Sequence, residues 1–300
     1  MNCSGNFWAF CLLVLMGLFL GSCQQEVNIN LETTPAKVVV QGSIENGQPP
    51  FVILSSTFGF FANIDLSTFE NVFIHNAVVT VSDGSRTCRL KEYSVDSGSS
   101  AKFYIYSVDT SDLSNVIIGE LGKTYNLSIT YDGKTYTSQT QIPFVKGLDT
   151  LWFGQPAFQG PNTPNNAVEL YGTYTDPDTA GNFVKYYTKR NQEIFYAGQL
   201  FSDDLVNGNK IKGVNLFAGY NLADDKKSDS LVYFYPGDSL VLKWCEIDKP
   251  VFNFWNTYQF SVQSTGNPFS SPINVKSNIS NGAVGVWAGY GTIYYHMKVQ

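Results

Sequence analysis

Residues 124–140 turn back on themselves, and this constrains the fold more than any other feature of the chain. Tyr125, Leu127, Ile129 and Tyr131 alternate with Asn126, Ser128 and Thr130. A period of two places the first set on one face of a strand and the second on the other. Asp132-Gly133 follows, and Lys134 to Thr140 resumes a strand pattern. Both turn positions tolerate positive φ, so the stretch reads as a hairpin within a half-buried antiparallel sheet. The same device occurs upstream, where Ala77 to Val81 runs into Asp83-Gly84 and Thr87 to Tyr93 returns. With the β-branched run Lys37 to Gln41 as an opening strand, about seven strands fit between Lys37 and Pro143. That is the size and rhythm of an immunoglobulin-like sandwich.

Ile142 to Asp149, with Pro143 and Gly147, marks the expected boundary between two domains. Beyond it, Val168 to Thr175, Asn182 to Arg190, Ser230 to Tyr235 and Ser239 to Ile247 read as strands. Gly282 to Ala288 and Thr292 to Val299 read as two closing strands. One helix interrupts them. Asp248 suits an N-cap and Pro250 the first turn. Val251, Phe254, Trp255, Tyr258 and Val262 then share a helical stripe that suits core packing. Aromatic residues make up 15% of the chain and charged residues only 15%, well under the usual quarter. The expected fold class is therefore all-β: an immunoglobulin-like β-sandwich over residues 37–145, then a larger antiparallel β-rich sandwich or barrel over 146–300 with one short helix.

The N-terminus reads as an address. Phe7 to Leu20 is an apolar run broken by one glycine, too short to span a bilayer core but the right length for a signal-peptide core. Leu20-Gly21-Ser22-Cys23 follows and has the form of a bacterial lipobox. The expected arrangement is a signal peptide over 1–22, lipidation at Cys23, and a polar tether over 23–36. Met1 to Asn6 has no Lys or Arg, which departs from the usual positive n-region. A net charge of −6 argues against nucleic acid as a partner, since phosphates call for a basic face. Cys88 and Cys245 remain after the leader. They fall in different expected domains, so two buried thiols are favoured over a bridge.

Several motifs invite chemistry and fall short of it. Gly237-Asp238-Ser239-Leu240 spells a serine-hydrolase signature, but that chemistry needs a histidine base oriented by a carboxylate. The only downstream histidine is His296, and Ile293 stands where the aspartate belongs. The stretch reads instead as a turn feeding a strand. His75 and His296 read as half-exposed strand residues. Asp176-Pro177-Asp178-Thr179-Ala180-Gly181 begins like a calcium loop, yet Tyr187 occupies the place of the closing bidentate glutamate. No metal or other cofactor is expected. Phe58, Phe60 and Phe61 crowd one long connection and either fold back onto the sandwich or form a partner-binding patch. Trp152 with Phe153 is a candidate ligand-stacking surface, and Tyr186 with Tyr187 a further aromatic pair.

Asn267-Pro268-Phe269-Ser270-Ser271-Pro272, Asn278-Ile279 and Asn281-Gly282-Ala283-Val284-Gly285-Val286-Trp287 together resemble the C-terminal signature of a family. It is that of Bacteroidota outer-membrane lipoproteins bearing domain of unknown function 4249. Tyr131-Asp132-Gly133-Lys134-Thr135-Tyr136-Thr137-Ser138 and Phe201-Ser202-Asp203-Asp204 fit the same resemblance. It implies an accessory lipoprotein found beside SusC-like TonB-dependent receptors, and it brings no catalytic residues. The functional expectation is a lipid-anchored, non-enzymatic subunit of an outer-membrane nutrient uptake system that aids ligand capture or gating. The alternative is a free-standing surface lipoprotein that binds a glycan or peptide.

Overall fold

The computed structural model describes residues 35–57, 71–96, 102–204, 207–219, 232–264, 271 and 273–300. Cys23, Phe58, Phe60 and Phe61 lie outside the described residues. Strands carry the architecture: β1 (Val38–Glu45), β2 (Phe51–Ser56), β3 (Val78–Ser82), β4 (Thr87–Asp96), β5 (Lys102–Val108), β6 (Thr124–Tyr131) and β7 (Lys134–Gln141). They continue as β8 (Thr150–Gly154), β9 (Glu169–Thr175), β10 (Phe183–Arg190), β11 (Tyr196–Ser202), β12 (Lys210–Leu216) and β13 (Ser239–Ile247). The helix α1 (Lys249–Ser264) and the long strand β14 (Val284–Lys298) close the chain. The class is all-β.

Eleven strands form one sheet in the order β11-β10-β13-β14-β1-β2-β5-β4-β3-β6-β7, and β12-β9-β8 form a second. The large sheet therefore runs through both the 37–145 and the 146–300 segments, and residues 36–300 make one compact unit. Most neighbours pair antiparallel, but β1 and β14 pair in parallel, from Val39 opposite Val284 to Glu45 opposite Tyr290. Parallel pairing needs a long connection between the two strands, and here the connection is nearly the whole chain.

The turns form by the expected chemistry, with one difference. Asp132 and Gly133 both have positive φ, 49° and 68°, and β6 and β7 pair from Tyr131 opposite Lys134 onward. At the upstream hairpin only Gly84 is left-handed. Ser82 pairs with Thr87, giving a four-residue loop. Asp83 holds it with its side chain, accepting the Ser85 and Arg86 N–H groups at 2.9 and 2.8 Å. At the C-terminal side, the two expected closing strands are the single strand β14. Gly289 and Gly291 lie inside it, where a Cβ would meet the Gln141 and Pro143 carbonyl oxygens at 2.3 and 2.2 Å. These glycines admit a neighbouring backbone and do not break the strand. Among the described residues, the strand expected over Ser230 to Tyr235 is reduced to an isolated bridge between Val168 and Phe234.

Three apolar cores result. The first fills the N-terminal strands, with Val40, Leu54, Val79, Leu127 and Ile129, and is capped by Trp287 from β14. The second lies between one face of β10 and β13 and the smaller sheet, around Leu170, Tyr186, Leu242 and Trp244. The third lies under α1 on the opposite face, around Phe183, Cys245, Val251, Val286 and Tyr290. Cys88 and Cys245 are both buried free thiols, without a bridge.

Candidate functional site

A cleft of about 660 Å³ opens on the face of the large sheet where N- and C-terminal strands adjoin. Strand periodicity decides what enters it. On β1, Val40, Gly42 and Ile44 turn into the first core, which leaves Gln41, Ser43 and Glu45 on the cleft side. On β14, Trp287 goes to the first core while Val286, Tyr290 and Tyr294 line the cleft. β10 contributes Tyr187, β13 contributes Lys243, and α1 lays Trp255 across one end.

An ion pair sits in the floor. Lys243 Nζ binds Glu45 Oε2, and Tyr294 OH donates to Glu45 Oε1. The Lys243 ammonium is also 5.5–5.8 Å from the ring centroids of Tyr290, Tyr187 and Tyr294, close enough for cation–π attraction. Tyr290 OH accepts from Trp255 Nε1 at 3.0 Å and from Tyr187 OH at 3.2 Å. Burial raises the Tyr187, Tyr290 and Tyr294 phenols above their ordinary range, so they stay neutral donors. Burial likewise pushes the Cys245 thiol up to about 12, which keeps it from acting as a thiolate. Behind this floor lies Lys185, fully buried. Its Nζ makes no hydrogen bond and sits 4.6 Å from the Trp255 ring centroid and 5.1 Å from that of Tyr187.

The rim differs from the floor. Phe51, Phe195 and Tyr294 are 39%, 38% and 42% exposed, and Phe195 tilts against Tyr294 with centroids 6.2 Å apart. Facing them are Gln41, Ser43 and Gln48, whose side chains make no hydrogen bond among the described residues. The arrangement offers apolar ring faces, unengaged neutral donors and acceptors, and charges that already satisfy each other. Such a cleft is built to bind.

The residues singled out by sequence lie elsewhere. Trp152 is 42% exposed and stacks on Tyr171 with centroids 5.9 Å apart, on the smaller sheet. Phe153 points the other way, into the second core, with its edge toward Phe234 at 6.2 Å. Successive strand residues alternate faces, so Trp152 and Phe153 do not share a stacking surface. The same alternation splits Tyr186, buried in the second core, from Tyr187, which lines the cleft. Ser239 begins β13, and its N–H donates to Asn191 Oδ1 at 2.9 Å. The Asp238 carboxylate accepts from Tyr235 N–H and Asn191 Nδ2, as a turn residue does. His296 pairs with Val241 in the ladder. Asp176 Oδ2 accepts the Gly208 N–H at 3.0 Å, closing a loop between neighbouring strands. His75 Nδ1 pairs with Glu92 at the far end of the sheet.

Glu45, Tyr187, Lys243, Trp255, Tyr290 and Tyr294 were not legible as a group in the sequence. The one local signal is a cation in an otherwise apolar strand: Lys185 within Phe183–Arg190 and Lys243 within Ser239–Ile247. A lysine in such a place needs a partner or a function.

The C-terminal signature has a structural explanation. Asn281 and Gly282 form a turn with φ of 57° and 77°. Asn278 then clasps Trp287 from both sides, its Oδ1 accepting the Trp287 N–H at 2.9 Å and its Nδ2 donating to the Trp287 carbonyl at 2.8 Å. Trp287 Nε1 donates to the Tyr125 carbonyl at 3.1 Å inside the first core. The motif thus fastens the last strand to the first half of the chain. No curated protein and no solved structure matches this chain. The family model described as Domain of unknown function (DUF4249) matches residues 24–293, and the chain belongs to that family.

Proposed function

We propose that this protein is a lipid-anchored, non-enzymatic accessory subunit of an outer-membrane TonB-dependent uptake system, and that the cleft on its large sheet captures the ligand. The cleft carries the reading. Its acidic group is held by Lys243 and by Tyr294, its phenols and thiol are kept protonated by burial, and its open rim presents rings and neutral amides. A catalyst needs a free base or nucleophile at the reacting atom. A binding protein needs shape, apolar area and a few placed polar groups. The leader and Cys23 support attachment at an envelope membrane, and among the described residues no helix is long and apolar enough to cross one.

Affinity capture from detergent-solubilised outer membrane tests the reading. A TonB-dependent receptor is expected with the parent chain, and none with Cys23→Ser, which leaves no thiol to acylate. Recovery of the lipoprotein without a receptor overturns the accessory role and favours a free-standing binding protein.

A further inference from the structure

We infer that the cleft takes a neutral saccharide; the inference rests on reading the cleft as the ligand site. Three observations point to this ligand class.

The first is charge. Glu45 and Lys243 neutralise each other in the floor, and Glu45 also accepts from Tyr294. An anionic ligand would meet the Glu45 carboxylate beside Lys243. A cationic one would meet Lys243, with Lys185 behind it. Either would break a half-buried pair and leave one charge uncompensated, which is costly.

The second is the chemistry that remains free. Gln41 and Gln48 each offer an amide that both donates and accepts, and Ser43 a hydroxyl that does the same. Sugar hydroxyls also donate and accept, so the two sides match group for group. Opposite them, Phe51, Phe195 and Tyr294 expose ring faces against which the C–H face of a pyranose can lie. A volume of about 660 Å³ accommodates a short oligosaccharide and lies within the ordinary range for small-ligand sites.

The third is the backbone. An extended peptide gains affinity by adding to a sheet edge through main-chain hydrogen bonds. Here β1 is flanked by β14 and β2, and β2 by β1 and β5. The cleft lies on the face of interior strands whose N–H and C=O groups are already paired, so it offers a peptide no free ladder.

The experiment is calorimetric titration of the full lipoprotein in detergent with maltohexaose, cellohexaose, xylohexaose and mannohexaose. Hexagalacturonate and tryptic casein peptides form the other arms. At least one neutral oligosaccharide is expected to bind. Phe51→Ala and Phe195→Ala are each expected to weaken it about tenfold, the size of one lost aromatic contact. Gln41→Ala and Gln48→Ala, at exposed positions where folding is spared, give a second readout and are expected to weaken binding as well. Trp152→Ala, on the other sheet, is expected to change nothing. Binding of hexagalacturonate or peptide that depends on the same side chains overturns the saccharide assignment while leaving ligand capture intact. Oligosaccharide binding that is lost in Trp152→Ala and kept in Phe51→Ala and Phe195→Ala moves the site elsewhere and overturns it too. No binding in any arm by chain that unfolds cooperatively overturns both this inference and the ligand-capture role of the cleft. Receptor capture bears separately on the accessory role.

Discussion

Lys185 shows how a single residue can oppose the stability of the fold that surrounds it. It lies opposite Cys245 in the β10–β13 ladder, fully buried and without a hydrogen bond. Cys245 is a neutral thiol and supplies no counter-charge. Burial pulls the Lys185 ammonium down to about 8, and the Trp255 and Tyr187 rings offset only part of that penalty. The sign follows from proton linkage. Below about pH 8, folded and unfolded chains both hold the proton and the burial penalty is fully present. Between about 8 and 10.5, the unfolded chain keeps the proton and the folded chain sheds it, so this group makes stability rise with pH. Its whole contribution is on the order of 3 kcal/mol. Lys185→Met fits the same space without a charge. It is expected to be more stable than the parent at pH 7, by roughly 1–3 kcal/mol, and to lack this rise at alkaline pH. Urea unfolding of both proteins from pH 6 to 10 measures it. Lower stability of the variant at pH 7 would mean that the ring contacts outweigh the cost of burying the charge.

At the scale of elements, α1 is fixed at its start by one side chain with two duties. Asp248 Oδ1 caps the helix by accepting the Val251 N–H at 2.9 Å, as expected of an N-cap aspartate. Its Oδ2 accepts from Thr140 Oγ1 at 2.9 Å and from the Gln141 N–H at 3.0 Å, both on β7. The cap thus ties the helix to the far end of the large sheet. Asp248→Ala is expected to cost about 2–3 kcal/mol, more than an isolated cap, because three donors lose their acceptor. Thermal unfolding checks this, and a loss under about 0.5 kcal/mol, the low end for a simple cap, would show that the tie to β7 contributes nothing. The Asp248 cap and the Asp132-Gly133 turn were legible in the sequence because each is written within a few neighbouring residues. Strand β14 was misread as two because Gly289 and Gly291 look like breaks. Their reason is the close passage of Gln141 and Pro143, about 150 residues away in sequence, and no local pattern records it. The cleft was illegible for the same reason. Its residues come from six strands, one helix and a loop, joined by a pairing between the first and last strands that nothing local encodes.

For residues 36–300 as a whole, β14 is the element on which the other parts converge. It pairs in parallel with β1 on one side and antiparallel with β13 on the other. It gives Trp287 to the first core, Val286, Ala288 and Tyr290 to the third, and Tyr295 and Met297 to the border of the second. The 37–145 segment, which alone reads as a sandwich of its own, therefore lacks a strand and its central tryptophan until the last residues join it. Its core is incomplete, and β1 is left as an open edge. Ending the chain after Ala283 is accordingly expected to abolish cooperative unfolding throughout, with near-ultraviolet dichroism lost in both halves. In the intact protein, Trp287 reports on the first core and Trp244 on the second, so single-tryptophan variants retaining one or the other should unfold at the same denaturant concentration. A shortened chain that keeps a cooperative transition for residues 37–145, or two separated transitions in the intact protein, would show two independent domains. One shared transition would mean that the cleft, whose walls come from both halves, exists only when the last strand is home.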